Sequence, residues 1–136
     1  MTIKMTYSAN EQLAVDFFHG MGPTLEAFER NFADRLAHDA EWESVGLPIR
    51  RGREACIAYL HELHERTGME YCTIDLIALA GSGDTVLSER VDTMWRADGS
   101  PIMTFRIMGA IEIRDGKIVR YTDYFDMALA RASVAT

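Results

Sequence analysis

The sequence predicts an α+β domain, with a long, strongly twisted sheet curled round helices on one face and a closed-bottomed apolar cavity between them. Two patterns carry this expectation. Apolar residues recur at helical spacing in three stretches before Gly68. From Met69 onward the pattern becomes alternating segments joined by tight turns, the mark of an antiparallel meander.

The 136 residues suit one domain spanning 1–136, and 48% hydrophobic with 26% charged residues is ordinary globular composition. A net charge of −7 argues against a nucleic-acid partner, because basic groups to pair with phosphates are too few. No apolar run approaches the roughly 20 residues of a membrane helix, so no membrane partner is expected. Met1–Asn10 holds no signal-peptide core, and a cytoplasmic location is the expectation. Cys56 and Cys72 lie in apolar periodic segments and are expected as buried free thiols, not as a disulfide or a metal site.

Ser8-Ala9-Asn10-Glu11 matches a capping box and opens a first helix, with Leu13, Ala14, Phe17 and Phe18 inward and a stop at Gly20-Met21-Gly22-Pro23. Thr24 caps a second helix, in which Leu25, Phe28, Phe32 and Leu36 recur and whose last turn reaches His38-Asp39. Ala40–Val45 is short and alternating, with Trp42 and Ser44 on one face and Glu41 and Glu43 on the other, and suggests an edge strand. A loop from Gly46 to Gly52 carries the basic pair Arg50-Arg51. Arg53–Arg66 forms a third helix ended by Gly68.

Four strands follow: Met69–Ala80, Val86–Trp95, Ile102–Arg114 and Lys117–Asp126. Asp115-Gly116 is a strong two-residue hairpin signal. The Met127–Thr136 tail is alanine-rich. The outer face of such a sheet needs cover, and a second copy in a homodimer is the simplest cover.

Alternation places Val86, Ser88, Arg90, Asp92 and Met94 on one face of their strand. In the last strand Lys117, Val119, Tyr121, Asp123 and Phe125 share a face, which puts Asp123 among apolar neighbours. A carboxylate there costs several kcal/mol unless paired, and Arg90 and Asp92 on the same sheet are its natural partners. An arginine between two carboxyls drives their titrations apart, so one acid keeps its proton while the other ionises. That division provides a general acid and a general base at one pH. A purely structural ion triad is the competing reading.

Glu89-Arg90-Val91-Asp92 followed by Asp123-Tyr124-Phe125-Asp126, with Gly52-Arg53-Glu54-Ala55 at a helix start, resembles the limonene-1,2-epoxide hydrolase family from about Phe32 to Asp126. The resemblance implies a cone-shaped α+β fold of the nuclear-transport-factor-2-like or SnoaL-like type, with a curved mixed sheet, a deep pocket, a dimer and no cofactor. It implies that Asp123 takes a proton from water, that Asp92 protonates the oxygen of a small apolar epoxide substrate, and that Arg90 holds both carboxyls. The family's water-holding pair is a tyrosine and an asparagine two residues apart. Trp42 and Ser44 stand at those positions here, which leaves the water between Asp123 and Ser44 with Trp42 as wall and donor, or held less well.

Weaker signals complete the reading. Met94, Met103 and Met108 are candidates to line the pocket, with plain core as the alternative. His61 and His64 stand three apart with Glu62 and Glu65 interleaved, the pattern of an exposed polar face and not of a metal site. His19 and His38 are placed near helix ends. Two other functions remain open: an isomerase or cyclase on the same fold, and a non-catalytic ligand-binding module. The Arg90, Asp92 and Asp123 set argues against the last.

Overall fold

A computed structural model describes residues 6–129. Three helices cover one face of a six-stranded sheet. Helix α1 (Ala9–His19) begins with the capping box, in which Ser8 and Glu11 satisfy each other's backbone donors. Glu11 also accepts from the amide of Gly81 at 3.1 Å, tying the start of the helix to the sheet. Its inner side buries Ala14, Phe17 and Phe18.

Helix α2 (Leu25–Arg35) is capped by the Thr24 hydroxyl and stops four residues earlier than the spacing of Phe32 and Leu36 suggested. Leu36 is fully buried as the first residue of a strand, so its apolar spacing could not mark the helix end. There the backbone turns extended and Leu36 pairs with Ile118. Lys117 Nζ donates to the Asp34 carbonyl at 2.6 Å, satisfying a group the helix end leaves open. His38 therefore lies in a strand and not at a helix end. His19 is in the last turn of α1.

Strand β1 (Leu36–Ser44) is longer than expected and is not a free edge. It runs parallel to β6 (Lys117–Tyr124) on one side and pairs with the two-residue β2 (Arg50–Arg51) on the other. Polar alternation made it look like an edge, but a parallel partner some eighty residues away leaves no local trace. Helix α3 (Arg53–Thr67) buries Cys56 and Leu60 and ends at Gly68, whose left-handed φ of 81° suits glycine.

Strands β3 (Met69–Ser82), β4 (Thr85–Arg96), β5 (Pro101–Arg114) and β6 form the expected antiparallel meander, within the order β2-β1-β6-β5-β4-β3. Asp115 and Gly116 both adopt positive φ, 51° and 73°, as a primed hairpin turn requires. The other departure is at Val119. Glu112 pairs with Arg120 and Ile113 with Ile118, so Val119 forms a bulge, and Ile118 takes the buried place that plain alternation gave to Val119. Beyond the bulge, Tyr121 and Asp123 are both buried.

The core lies between helices and sheet. Phe17 stacks on Phe32 at 5.4 Å, and Tyr121 meets Phe17 edge-on at 5.1 Å. Among the described residues no helix is long and apolar enough to cross a membrane. Cys56 is buried and Cys72 partly buried, both as free thiols. Residues 130–136 of the alanine-rich tail lie outside the described residues.

Candidate active site

The alternation of β4 carries Ser88, Arg90 and Asp92 to the covered face of the sheet, where all three are buried. The Arg90 side chain has no solvent exposure at all. An unpaired guanidinium there would be prohibitive, and its donors are engaged almost completely. Nε and Nη2 reach Asp92 Oδ1 and Oδ2 at 3.1 and 2.9 Å, a bidentate pair. Nη2 also donates to Asp123 Oδ1 at 2.9 Å, and Nη1 to the Ser88 hydroxyl at 3.2 Å. The guanidinium carbon stands 4.5 Å from the centre of the Phe18 ring, adding a cation–π contact from α1.

Asp123 enters this cluster from β6, in register with Gly109 of β5 and Ser44 of β1. Gly109 makes the convergence possible. A Cβ at that position would stand 2.7 Å from Asp123 Oδ1 and 2.8 Å from Arg90 Nη1. The sequence reading passed over this residue, although a glycine inside a strand is a signal of close approach. Ser88, placed on this face by alternation but given no role there, holds Arg90 from the side with its hydroxyl.

Burial is the largest influence on Asp123 and pushes its carboxyl up to about 6. Arg90 pulls against that shift, Asp92 reinforces it, and the Tyr121 hydroxyl lowers it somewhat. Burial likewise raises Asp92, with Arg90 opposing. Burial disfavours the charge of Arg90, but the carboxylates of Asp123 and Asp92 more than offset it, and the guanidinium stays protonated. With both acids ionised the cluster carries one net negative charge. One retained proton makes it neutral, the state that a dry site favours.

Asp92 and Asp123 open onto a cavity of about 100 Å3, enclosed by apolar side chains such as Met21, Phe28, Leu60, Met69 and Phe105. Trp42 and Ser44 border it from β1. The Trp42 indole lies flat on Tyr121, 5.5 Å between centres and 4° between planes, and its Nε1 is buried with no hydrogen-bond partner.

Of the three methionines expected at the pocket, Met94 borders it. Met103 sits opposite Met94 and packs on the core as a partly buried side chain, without lining the cavity. Met108 is on the opposite face of the sheet and 55% exposed. Its position follows from strand parity, because Phe105 and Ile107 point inward and Met108 must then point out. Met21 and Met69 take the expected place of adaptable apolar wall. His61 is exposed beside Glu29, at 2.5 Å, and His64 Nδ1 lies 2.8 Å from the Met69 carbonyl. Among the described residues no cluster of three or more histidine, cysteine or acidic side chains is arranged to hold a metal.

Comparison of the chain with known families adds an observation independent of this geometry. Residues 14–132 match the model of the limonene-1,2-epoxide hydrolase catalytic domain. The chain belongs to the limonene-1,2-epoxide hydrolase family. A curated relative, epoxide hydrolase EphG of Mycobacterium tuberculosis, is 30% identical over 92 residues, which are 68% of this chain and 58% of that protein. The match thus spans less than two thirds of the relative's length.

The fold of this family member is shared more widely than its sequence. An epoxide hydrolase of M. tuberculosis described as LEH-like superposes with a TM-score of 0.73 at 20% identity, over 93% of this chain and 90% of that one. A protein of Jannaschia sp. assigned as a SnoaL-like polyketide cyclase superposes with a TM-score of 0.74 at 12% identity, over 100% and 98%. The architecture is the NTF2-like and SnoaL-like one that the sequence resemblance implied.

Proposed function

We propose that this protein is a cofactor-independent epoxide hydrolase that opens a compact apolar epoxide to a vicinal diol in one step. The observation that carries the reading is the Arg90 bridge between Asp92 and Asp123 at the wall of an apolar cavity. Family membership and the relative named as an epoxide hydrolase support it.

In this mechanism Asp123 is the base. Arg90 occupies only its Oδ1, which leaves Oδ2 outside the guanidinium's grip. A water oxygen attacks an epoxide carbon while Asp123 takes the water's proton. The carbon–oxygen bond of the ring breaks, and Asp92 gives its proton to the departing oxygen. The products are a diol, an ionised Asp92 and a protonated Asp123, and one proton returned from Asp123 to Asp92 restores the enzyme. No covalent ester forms. Arg90 acts as a positioning residue, holding the two carboxyls and stabilising whichever is ionised.

Ser44, whose Cα pairs with that of Asp123, is the natural second contact for the water. The hydroxyl both donates and accepts, whereas the Trp42 indole only donates. The outer sheet face, with Leu87, Met108 and Tyr124 exposed, is proposed as the contact of a homodimer.

The test is a panel of terpene, styrene and cycloalkene oxides, with product formed in 18O-labelled water. Diols carrying one labelled oxygen are expected. Rearranged carbonyl or cyclic ether products without the label would instead show the isomerase or cyclase chemistry that this fold also accommodates.

A further inference from the structure

We propose that a small side chamber of the cavity is a subsite for a neutral oxygen on the substrate, so that the preferred epoxides carry a hydroxyl or carbonyl group beyond the ring. This deepens the epoxide hydrolase reading and rests on it. The chamber measures about 10 Å3 and is lined by Trp42, Ser44, Leu47, Pro48, Arg50 and Tyr59. Trp42, Ser44, Leu47 and Tyr59 also border the main cavity, so the two spaces adjoin.

Two of the lining residues carry a buried donor with no partner: Trp42 Nε1 and Arg50 Nε. Such groups are uncommon in folded proteins and are destabilising when nothing meets them. An indole N–H and a guanidinium N–H only donate, so a group that satisfies either must accept. The sheet sets the two residues side by side. Arg50 of β2 pairs directly with Trp42 of β1, and directly opposed residues share a face. Trp42 is fixed by stacking on Tyr121, and the Arg50 guanidinium by lying 4.0 Å over the Tyr59 ring.

Size and charge narrow the ligand. A space of this volume accepts about one water-sized atom. That admits a single oxygen and excludes a carboxylate or phosphate seated whole. Arg50 also has an anionic partner already, with Nη2 3.5 Å from Glu62. A second negative charge would therefore be poorly compensated, whereas a hydroxyl or carbonyl oxygen adds none. A hydroxyl further offers a proton to the Ser44 oxygen.

Position links the subsite to the chemistry. Trp42 pairs with Tyr121 and Ser44 with Asp123, so the chamber lies one row of side chains from the base. Rows of one face are roughly 7 Å apart along a strand. An oxygen on the far side of a six-membered ring from its epoxide, taken together with the water lined up on the attacked carbon, spans a comparable length. Anchored there, the substrate presents a fixed ring carbon to the water beside Asp123. Asp123 itself does not line the chamber, so a water resting in it is not the one Asp123 deprotonates.

The experiment uses the whole chain labelled with 15N, in which the indole N–H groups of Trp42 and Trp95 give two resonances, assigned by Trp95→Phe. It is titrated with unreactive ring alcohols and ketones and with the matching hydrocarbons. The oxygenated ligands are expected to shift the Trp42 resonance downfield and to bind about tenfold more tightly than the hydrocarbons. In parallel, kcat/KM is measured for a cycloalkene oxide with and without a distal hydroxyl or keto group. The oxygenated epoxide is expected to be preferred about tenfold, mainly through KM. Arg50→Met should bring that ratio close to one. Arg50→Lys, which keeps a positive charge for Glu62 but removes the guanidinium and with it the Nε donor, should do the same if the methionine variant fails to fold. Equal shifts and affinities for both ligand series would overturn the subsite and leave a resident water as its occupant, as would a preference that survives both Arg50 variants. If no epoxide yields a diol while the indole still responds to alcohols, the hydrolase reading falls and the subsite stands.

Discussion

Gly109 faces Asp123 across neighbouring strands, and the missing side chain is what lets Arg90 reach the carboxylate. Nothing about its backbone demands glycine, since its φ lies outside the left-handed range. The requirement is space. Gly109→Ala should push the Arg90 and Asp123 head groups apart. An overpacked site of this kind loses about 1–3 kcal/mol, and misplaced groups should lower kcat at least about tenfold. Chemical denaturation and steady-state kinetics read the two effects. A variant with normal stability and normal kcat would mean the head groups have room that the geometry denies them.

Asp123→Asn separates catalysis from stability. The amide keeps the shape and cannot take a proton, so turnover should fall by about 10²–10⁴-fold. Stability should move the other way. The folded carboxyl, at about 6, lies above its ordinary value of 3.8, so the fold favours the protonated form. Wild-type stability is therefore fully present below about pH 4, declines as pH rises towards 6 and stays at the lower level above it. About two pH units correspond to about 3 kcal/mol at most. The asparagine variant should be more stable than wild type at pH 8 by about 1–3 kcal/mol and equal to it near pH 4. Urea melts at both pH values decide it, and an equal deficit at both would sink the linkage.

The same shift predicts the pH dependence of the reaction. The base works ionised, so kcat/KM should climb with pH and level off as pH passes about 6. The acid must keep its proton, so a decline should follow at the pH where the pair gives up its remaining proton. The two apparent values belong to the coupled pair and not to either residue. A flat profile between pH 5 and 9 would exclude a carboxylate base with raised affinity for protons.

Leu87 and Met108 are 50% and 55% exposed on the outer sheet face. In the proposed homodimer they are covered by a second copy. Leu87→Glu combined with Met108→Lys should yield a monomer by light scattering at micromolar concentration. An active wild-type monomer would remove the need for the interface.

Strand parity explains most of what the sequence disclosed. A period of two put Arg90 and Asp92 on one face, and the bulge at Val119 precedes Tyr121 and Asp123, so the face they share was unaffected. The same period argues against grouping Met103 with Met108, since five residues apart in an unbroken strand is opposite faces. Other features have no one-dimensional trace. The parallel pairing of β1 with β6, which brings Ser44 beside Asp123, joins segments far apart in the chain. Arg50 belongs to a strand of two residues, too short to show any alternation. The end of α2 was hidden because Leu36 is apolar and buried in either conformation.

The Trp42 and Ser44 pair remains the sharpest test of how water is held. An attacking water needs an acceptor for its departing proton and a further contact to aim its lone pair at carbon. Asp123 is proposed for the first, and Ser44, its direct cross-strand neighbour, for the second. Ser44→Ala should then lower kcat about tenfold with a smaller change in KM, because misaligned attack is felt chiefly in the transition state. Trp42→Phe keeps an aromatic wall stacked on Tyr121 and removes only the N–H. On a plain hydrocarbon epoxide it should therefore cost less than Ser44→Ala. On an epoxide with a distal oxygen it should raise KM, since the lost donor belongs to the side chamber. Steady-state kinetics of both variants on both substrates give four numbers that separate the cases. A silent Ser44→Ala beside a crippled Trp42→Phe on the plain epoxide would reverse the roles and make the indole the holder of the water. Two silent variants on water attack, with normal activity towards an epoxide bearing its own hydroxyl, would instead favour a nucleophile carried by the substrate.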